Sequence, residues 1–210
     1  MDPIASLIAG FAGLSSRQYR ESRKFRQLVE RGQSPRIVLV ACSDSRVDPS
    51  LMLDCNPGDL FVIRNVANLV PPCEESGTYH GTSAALEYAI CQLGVEHVIV
   101  MGHARCGGIQ ALIDGPSDTG GFIGRWVSLA KPALEKTNRQ LGPSADPAER
   151  AQCCELESIK QSLINLKTFP WIEERLESGR LQLHGWYFDL VEGRLLGHDT
   201  ADDAFHVLTP

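Results

Sequence analysis

The sequence of 210 residues predicts an α/β fold built on a parallel sheet, and three observations predict it. First, Ile37-Val38-Leu39-Val40, Leu60-Phe61-Val62-Ile63 and His97-Val98-Ile99-Val100-Met101 are short β-branched apolar runs, the pattern of strands buried on both faces. Second, helical patterns separate these runs, an alternation that calls for parallel pairing through right-handed crossovers. Third, polar residues follow two of the runs directly: Cys42-Ser43-Asp44-Ser45-Arg46 and Gly102-His103-Ala104-Arg105-Cys106-Gly107-Gly108. These fall at strand C-terminal ends, the edge at which open α/β sheets bind ligands.

Length and composition bound the rest. The chain suits one domain, residues 1–210, large enough to bury a full core. A net charge of −6 and a pI near 5.5 leave no basic stripe for nucleic acid. Seven cysteines, an odd number without even spacing, read as reduced thiols of a cytoplasmic chain, a few of them binding metal. Ile4 to Leu14 has the length of a signal peptide's apolar core, but Asp2 precedes it and no Ala-x-Ala site follows. The stretch is too short to span a membrane. Ile4, Leu7, Ile8, Phe11 and Leu14 keep helical spacing, so residues 1–32 are expected to form a helical arm that packs on a partner subunit.

The elements follow in order. Ser16 to Arg31 continues as a charged helix with Phe25, Leu28 and Val29 inward, ended by Gly32 and Pro35. After the first strand, Asp48-Pro49 supplies an N-cap and a first-turn proline for a short helix to Asp54. Asn56-Pro57-Gly58-Asp59 is a turn into the second strand. Ser76 or Thr78 is expected to start a long helix to Leu93, with Leu86, Ala89, Ile90 and Leu93 inward. The third strand follows, then, after Cys106-Gly107-Gly108, a helix through Ile109, Leu112 and Ile113 to Gly115, and a polar loop or lid at 116–121. Residues 122–169 read as helical with breaks at Gly142-Pro143 and Pro147, and Pro170 opens a short helix ending at Gly179. Leu181 to Leu190 alternates and Arg194 to Gly197 returns, which makes a hairpin added to the sheet.

Two thiols, an imidazole, a carboxylate and a guanidinium thus reach one rim. Cys42, His103 and Cys106 make a Cys₂His set, the ligand count of a catalytic zinc site with an open fourth position. Gly107 and Gly108 allow close backbone approach. Read residue by residue, the same three also fit two buried thiols and a satisfied core histidine. Asp44 is a fourth ligand or a water-orienting base, and a bidentate pair with Arg46 favours the second role. A phosphatase-type role for Cys42 is disfavoured, since Asp44 would repel an incoming phosphate. The other cysteines and histidines lack partners at ligand spacing.

At this point the sequence resembles the β-class carbonic anhydrases, from about Gln33 to Gly197. The resemblance rests on Cys42-Ser43-Asp44-Ser45-Arg46-Val47, on Pro57 through Asn68, and on Gly102-His103-x-x-Cys106-Gly107-Gly108. Ala85-Leu86-Glu87-Tyr88-Ala89 and Gly185-Trp186-Tyr187-Phe188-Asp189 add to it. It implies four parallel strands plus an antiparallel C-terminal strand, flanking helices, and an arm that wraps a partner in a homodimer or tetramer. It implies one Zn²⁺ per subunit on Cys42, His103 and Cys106, with Asp44 accepting from the zinc-bound water and Arg46 keeping Asp44 off the metal. In a closed state Asp44 is itself the fourth ligand. Gln33, Phe61, Val66 and Tyr88, together with Gly107 and Gly108, match the CO₂ pocket, part of it supplied across the dimer interface. Some bacterial members bind inhibitory bicarbonate through a tryptophan, an arginine and a tyrosine. Leu39 replaces that tryptophan here, and Arg64 and Tyr187 match the other two.

The implied function is hydration of CO₂ to bicarbonate and a proton by a zinc-activated water. Two thiolates cancel the metal's formal charge, so that water is expected to be less acidic than on three imidazoles, and activity to rise with pH. Two other readings keep the fold: hydrolysis of carbonyl sulfide or carbon disulfide, and a bicarbonate sensor without turnover. Intact Asp44, Arg46 and Gln33 count against the sensor.

Overall fold

The computed structural model describes residues 2–15, 22–74, 80–115 and 121–208. Local signals start most of its helices. Asp2 caps α1 (Pro3–Leu14) by accepting the Ile4 N–H, and Ser22 caps α2 (Arg23–Arg31) by accepting that of Phe25. Phe25 and Leu28 are partly covered as expected, but Val29 is exposed, which corrects its inward assignment. The reason is the narrowness of the contact. α2 meets the 56–59 turn, where Leu28 lies over Gly58 and Lys24 pairs with Asp59, and that turn is too small to cover the whole helix face. The expected helical residues 16–21 lie outside the described residues.

β1 (Ile37–Cys42) leads to α3 (Pro49–Met52), whose N-cap Asp48 accepts from the amides of Ser50 and Leu51. β2 (Leu60–Asn65) runs into a 3₁₀ turn, Val66–Asn68. The described part of the next helix is α4 (Gly81–Glu87); its expected start at Ser76 or Thr78 falls outside the described residues. α4 continues into a π-helical turn, Tyr88–Gln92. Ala89 and Ile90 are buried on the same face as Leu86, as expected, while Tyr88, two residues from Leu86, is half exposed on the other side. β3 (His97–His103) and α5 (Gly107–Asp114) follow as expected; positions 116–120 of the polar loop lie outside the described residues.

α6 (Phe122–Val127), α7 (Lys131–Leu141), α8 (Pro147–Leu166) and α9 (Pro170–Glu177) complete the helices. β4 (Gln182–Asp189), β5 (Arg194–Asp199) and β6 (Ala204–Val207) end the chain's regular structure. The sheet order is β2-β1-β3-β4-β5-β6; the first four strands are parallel, and β5 and β6 extend them antiparallel. The sequence foretold the β4–β5 hairpin. β6 is an addition, four residues too short for alternation to announce it.

Topology places the site. The chain leaves β1 for β2 on one side, and after β3 it reaches β4 on the other, so the connections diverge between β1 and β3. A crevice opens at such a switch point, outside the strands' C-terminal ends. Val38, Val40, Val98 and Val100 bury one sheet face under Leu86, Ile90, Ile159 and Leu166; Leu39, Ala41, Ile99 and Met101 bury the other. Burial on both faces explains the unbroken apolar runs of β1 and β3. A third apolar cluster, with Cys42, Ala67, Cys106, Ile109 and Leu112, surrounds the crevice itself.

Candidate metal centre

Cys42 is the last residue of β1 and His103 the last of β3, so the register of the two strands brings them to one rim. Cys106 arrives as the N-cap of α5, after a left-handed turn at Arg105 (φ 57°). The three side chains are buried, and their ligand atoms lie within 4.8 Å of one another. The Cys42 and Cys106 sulfurs stand 4.0 Å apart. A disulfide needs about 2.05 Å; two thiolates on one tetrahedral zinc, at about 2.3 Å each, stand about 3.8 Å apart.

His103 gives the sharper test. Its Nδ1 lies 2.9 Å from the Ala104 carbonyl oxygen, which selects the tautomer with a proton on Nδ1. The lone pair is then on Nε2, an atom that is fully buried and without a hydrogen-bond partner. A buried acceptor left unpaired is costly, and a cation between the two thiols satisfies it. The donor set, the spacing and the orphaned nitrogen all fit Zn²⁺.

The sulfurs are supported by backbone. Cys42 ionises more readily than an ordinary thiol: hydrogen bonding from the Cys106 thiol lowers its pKa most, and the amides of Asp44 and Ala67 add to it against the cost of burial. Ala67 reaches it because the Val66–Asn68 turn puts Ala67 (φ 62°) and Asn68 (φ 49°) in the left-handed region. Asn65 holds that turn by accepting the Leu69 N–H and donating to the Leu69 carbonyl, and Trp126 Nε1 donates to Val66 O at 2.7 Å. Gly108 packs against the same turn, where a Cβ would stand 2.8 Å from Val66 Cγ1.

Beside the trio, Asp44 Oδ2 lies 4.0 Å from His103 Nε2. The Arg46 guanidinium grips both carboxylate oxygens and holds the Asp44 carboxyl well below the usual carboxylate range. The Asp44 loop is fixed in turn by Arg64, which donates to the carbonyls of Cys42, Asp44 and Val47.

A family model described as carbonic anhydrase matches residues 37–195. "Beta carbonic anhydrase 5, chloroplastic" of Arabidopsis thaliana is 45% identical over 162 residues, covering 76% of this chain and 53% of that protein. "Beta carbonic anhydrase 6, mitochondrial" of the same plant is 41% identical over 195 residues, covering 89% of this chain and 66% of that protein. The chain belongs to the β-carbonic anhydrase family. It spans between about half and two thirds of the length of these two relatives. The solved structure of the β-carbonic anhydrase CcaA superposes with a TM-score of 0.86 at 32% identity, covering 99% of this chain and 92% of that one. A β-carbonic anhydrase of the ascomycete Sordaria macrospora, described as tetrameric, gives 0.80 at 30% identity, covering 92% of this chain and 94% of that one.

The family's other expected site residues divide into two groups. Val66, Gly107 and Gly108 stand at the metal trio. Phe61 and Tyr88 pack against each other, ring centroids 6.0 Å apart, at a different level of the sheet. Phe61 is in register with Val38, four residues before Cys42, or about 13 Å along the strand. Gln33 is exposed still further back, ahead of β1. The residues matched to a bicarbonate site are engaged elsewhere: Leu39 is buried, Arg64 holds its three carbonyls, and the Tyr187 hydroxyl donates to Glu155.

Sequence reasoning missed Glu155, Trp126 and Asn65. Glu155 had a signal, since it shares the helical phase of Ile159, Ser162 and Leu166, all buried. The bonds of Trp126 and Asn65 depend on a turn whose left-handed residues are not glycines, so nothing local announced them. No described helix is long and apolar enough to cross a membrane.

Proposed function

We propose that the chain is a lyase that catalyses the reversible hydration of carbon dioxide to bicarbonate and a proton, with one zinc ion per subunit. The observation that carries the reading is the unpaired His103 Nε2, buried between two thiols and beside an arginine-gripped carboxylate. Zinc held there by Cys42, His103 and Cys106 supplies a Lewis acid that lowers the pKa of a coordinated water.

The remaining steps belong to the chain. Asp44 stays ionised in the grip of Arg46 and so accepts a hydrogen bond from the attacking water, orienting its lone pair. Arg46 also restrains Asp44 from taking the fourth ligand position, which is the closed state of the site. Gly107 carries no side chain and a Cβ there would meet nothing within 4 Å, which leaves room beside Cys106 for a one-carbon substrate, while Gly108 lets the α5 N-terminus pack closely on Val66 and Ala67. Phe61 and Tyr88 complete the apolar wall, and Gln33 adds a polar group to the pocket, from a second subunit, because within one chain they lie too far from Cys42 to meet the same small molecule.

A homodimer, or a tetramer of two dimers, follows from that division. The exposed apolar face of α1 supports it, residues 1–32 acting as the arm of a single domain. All seven cysteines are free, which suits a reducing compartment such as the cytoplasm.

The test is stopped-flow CO₂ hydration at pH 7 and pH 9 with protein of measured zinc content, beside Cys42→Ala. Turnover that grows with pH and is lost with the zinc in the variant supports the reading. One zinc per chain without CO₂ hydration at either pH overturns it in favour of carbonyl sulfide or carbon disulfide hydrolysis, or of a sensor.

A further inference from the structure

One buried acid near the metal centre has no part in the chemistry above. Glu155, on α8, is 3% exposed and lies behind the loop that carries Cys106. Its Oε1 accepts the Cys106 amide N–H at 2.8 Å, and its Oε2 accepts the Tyr187 hydroxyl at 2.8 Å. The other end of that same peptide unit, the Arg105 carbonyl oxygen, accepts from Arg46 Nη2 at 3.0 Å. The Arg105–Cys106 peptide is therefore held from both sides, by a guanidinium on its oxygen and a carboxyl group on its N–H.

The peptide needs holding. Arg105 is in the left-handed region, where a side-chain-bearing residue is disfavoured. The peptide also does two things at once. It sets the direction in which Cys106 leaves the backbone, three residues after His103, whose Nδ1 is held by the Ala104 carbonyl. It also anchors the Arg46 side chain that grips Asp44. Since the C=O and N–H of a trans peptide point in opposite directions, a rotation that frees one frees the other.

We propose that Glu155 is a positioning residue for the metal centre: with Tyr187 behind it, Glu155 locks the Arg105–Cys106 peptide in the orientation that directs the Cys106 thiolate and seats Arg46 against Asp44. Burial pushes the Glu155 carboxyl up, and its Oε1 accepts from the Cys106 N–H in either protonation state; groups that orient a metal ligand from behind commonly change activity or metal affinity by about 10–100-fold when removed. The inference deepens the carbonic anhydrase reading and rests on it for the activity half of its test.

The experiment uses full-length protein loaded with Co²⁺ in place of zinc, whose thiolate-to-metal charge-transfer and ligand-field bands report ligand direction. Wild type is compared with Glu155→Ala, Glu155→Gln, Tyr187→Phe and the distant destabilising variant Asp203→Asn. Glu155→Ala is expected to shift the cobalt bands and lower kcat about tenfold with KM within about twofold. Glu155→Gln keeps an acceptor for the Cys106 N–H and is expected to restore both. Asp203→Asn is expected to leave the bands unchanged, which separates positioning from general loss of stability. Wild-type bands and kcat in Glu155→Ala overturn the proposal, as does a Gln variant no better than Ala. If Glu155→Ala fails to fold, Tyr187→Phe decides: a smaller band shift in the same direction supports the lock, and unchanged bands refute it. Should wild type bind cobalt through thiolates yet fail to hydrate CO₂, the carbonic anhydrase reading falls while the spectra still decide the role of Glu155.

Discussion

Arg46 meets Asp44 fork to fork: Nε donates to Oδ1 at 2.9 Å and Nη2 to Oδ2 at 2.7 Å, while the Arg46 amide adds a third bond to Oδ1 at 2.9 Å. A planar guanidinium matches both oxygens of a carboxylate, which an ammonium cannot do. Arg46→Lys is therefore expected to behave like Arg46→Ala, each losing on the order of 10–100-fold in kcat/KM. Steady-state CO₂ hydration checks this. A lysine variant close to wild type would show that charge alone, and not the bidentate geometry, restrains Asp44.

Gly108 closes the metal centre by having no side chain. A Cβ there would stand 2.8 Å from Val66 Cγ1, 2.9 Å from Ala67 Cβ and 3.4 Å from the Ala67 nitrogen, on the turn that points the Ala67 amide at Cys42. Gly108→Ala is expected to cost about 1–3 kcal/mol, which is roughly 3–10 °C in Tm for a domain of this size. Calorimetry measures it, and an unchanged Tm would mean that the turn yields freely.

Asp203 ties the β5–β6 turn to the helices, with His198 Nε2 at 2.9 Å, Lys160 Nζ at 3.1 Å and Lys136 Nζ at 3.3 Å. The hydrogen bond from His198, then the contacts with Lys160 and Lys136, hold its carboxyl well below the usual range. A depressed folded-state pKa adds stability above the unfolded value, about 4, and that stability is lost as pH falls through the folded value. Asp203→Asn should thus lower Tm at pH 7, modestly because Asp203 is more than half exposed. The gap to wild type should narrow below about pH 4. A gap constant down to about pH 2.5 would remove the ionised carboxylate from the account.

The arm makes a prediction about assembly. Ile4, Leu7, Ile8 and Phe11 are each 62–71% exposed along one helix, an apolar stripe that an isolated chain has no means to cover. Leu7→Asp with Phe11→Asp should reduce the mass of the assembly, and light scattering after size exclusion reads the change. If that double variant keeps the wild-type mass, the arm is not part of the interface.

Backbone periodicity and end signals are local, so the sequence by itself determined the α/β class, the three central strands, the Asp48-Pro49 helix start and the β4–β5 hairpin. It also brought Cys42, His103 and Cys106, with Asp44 and Arg46, to one rim as a candidate metal centre, because parallel strands must present their C-terminal ends on one edge. Only the tertiary structure decided what supports them. Arg64 spans 17 to 22 residues to its carbonyls, and Glu155 reaches 49 residues back to the Cys106 amide. The π-helical turn at Tyr88–Gln92, and the separation of Phe61 and Tyr88 from Val66, were likewise beyond a local reading. Such bonds and distances depend on strand register and helix packing, and no spacing in the sequence encodes them.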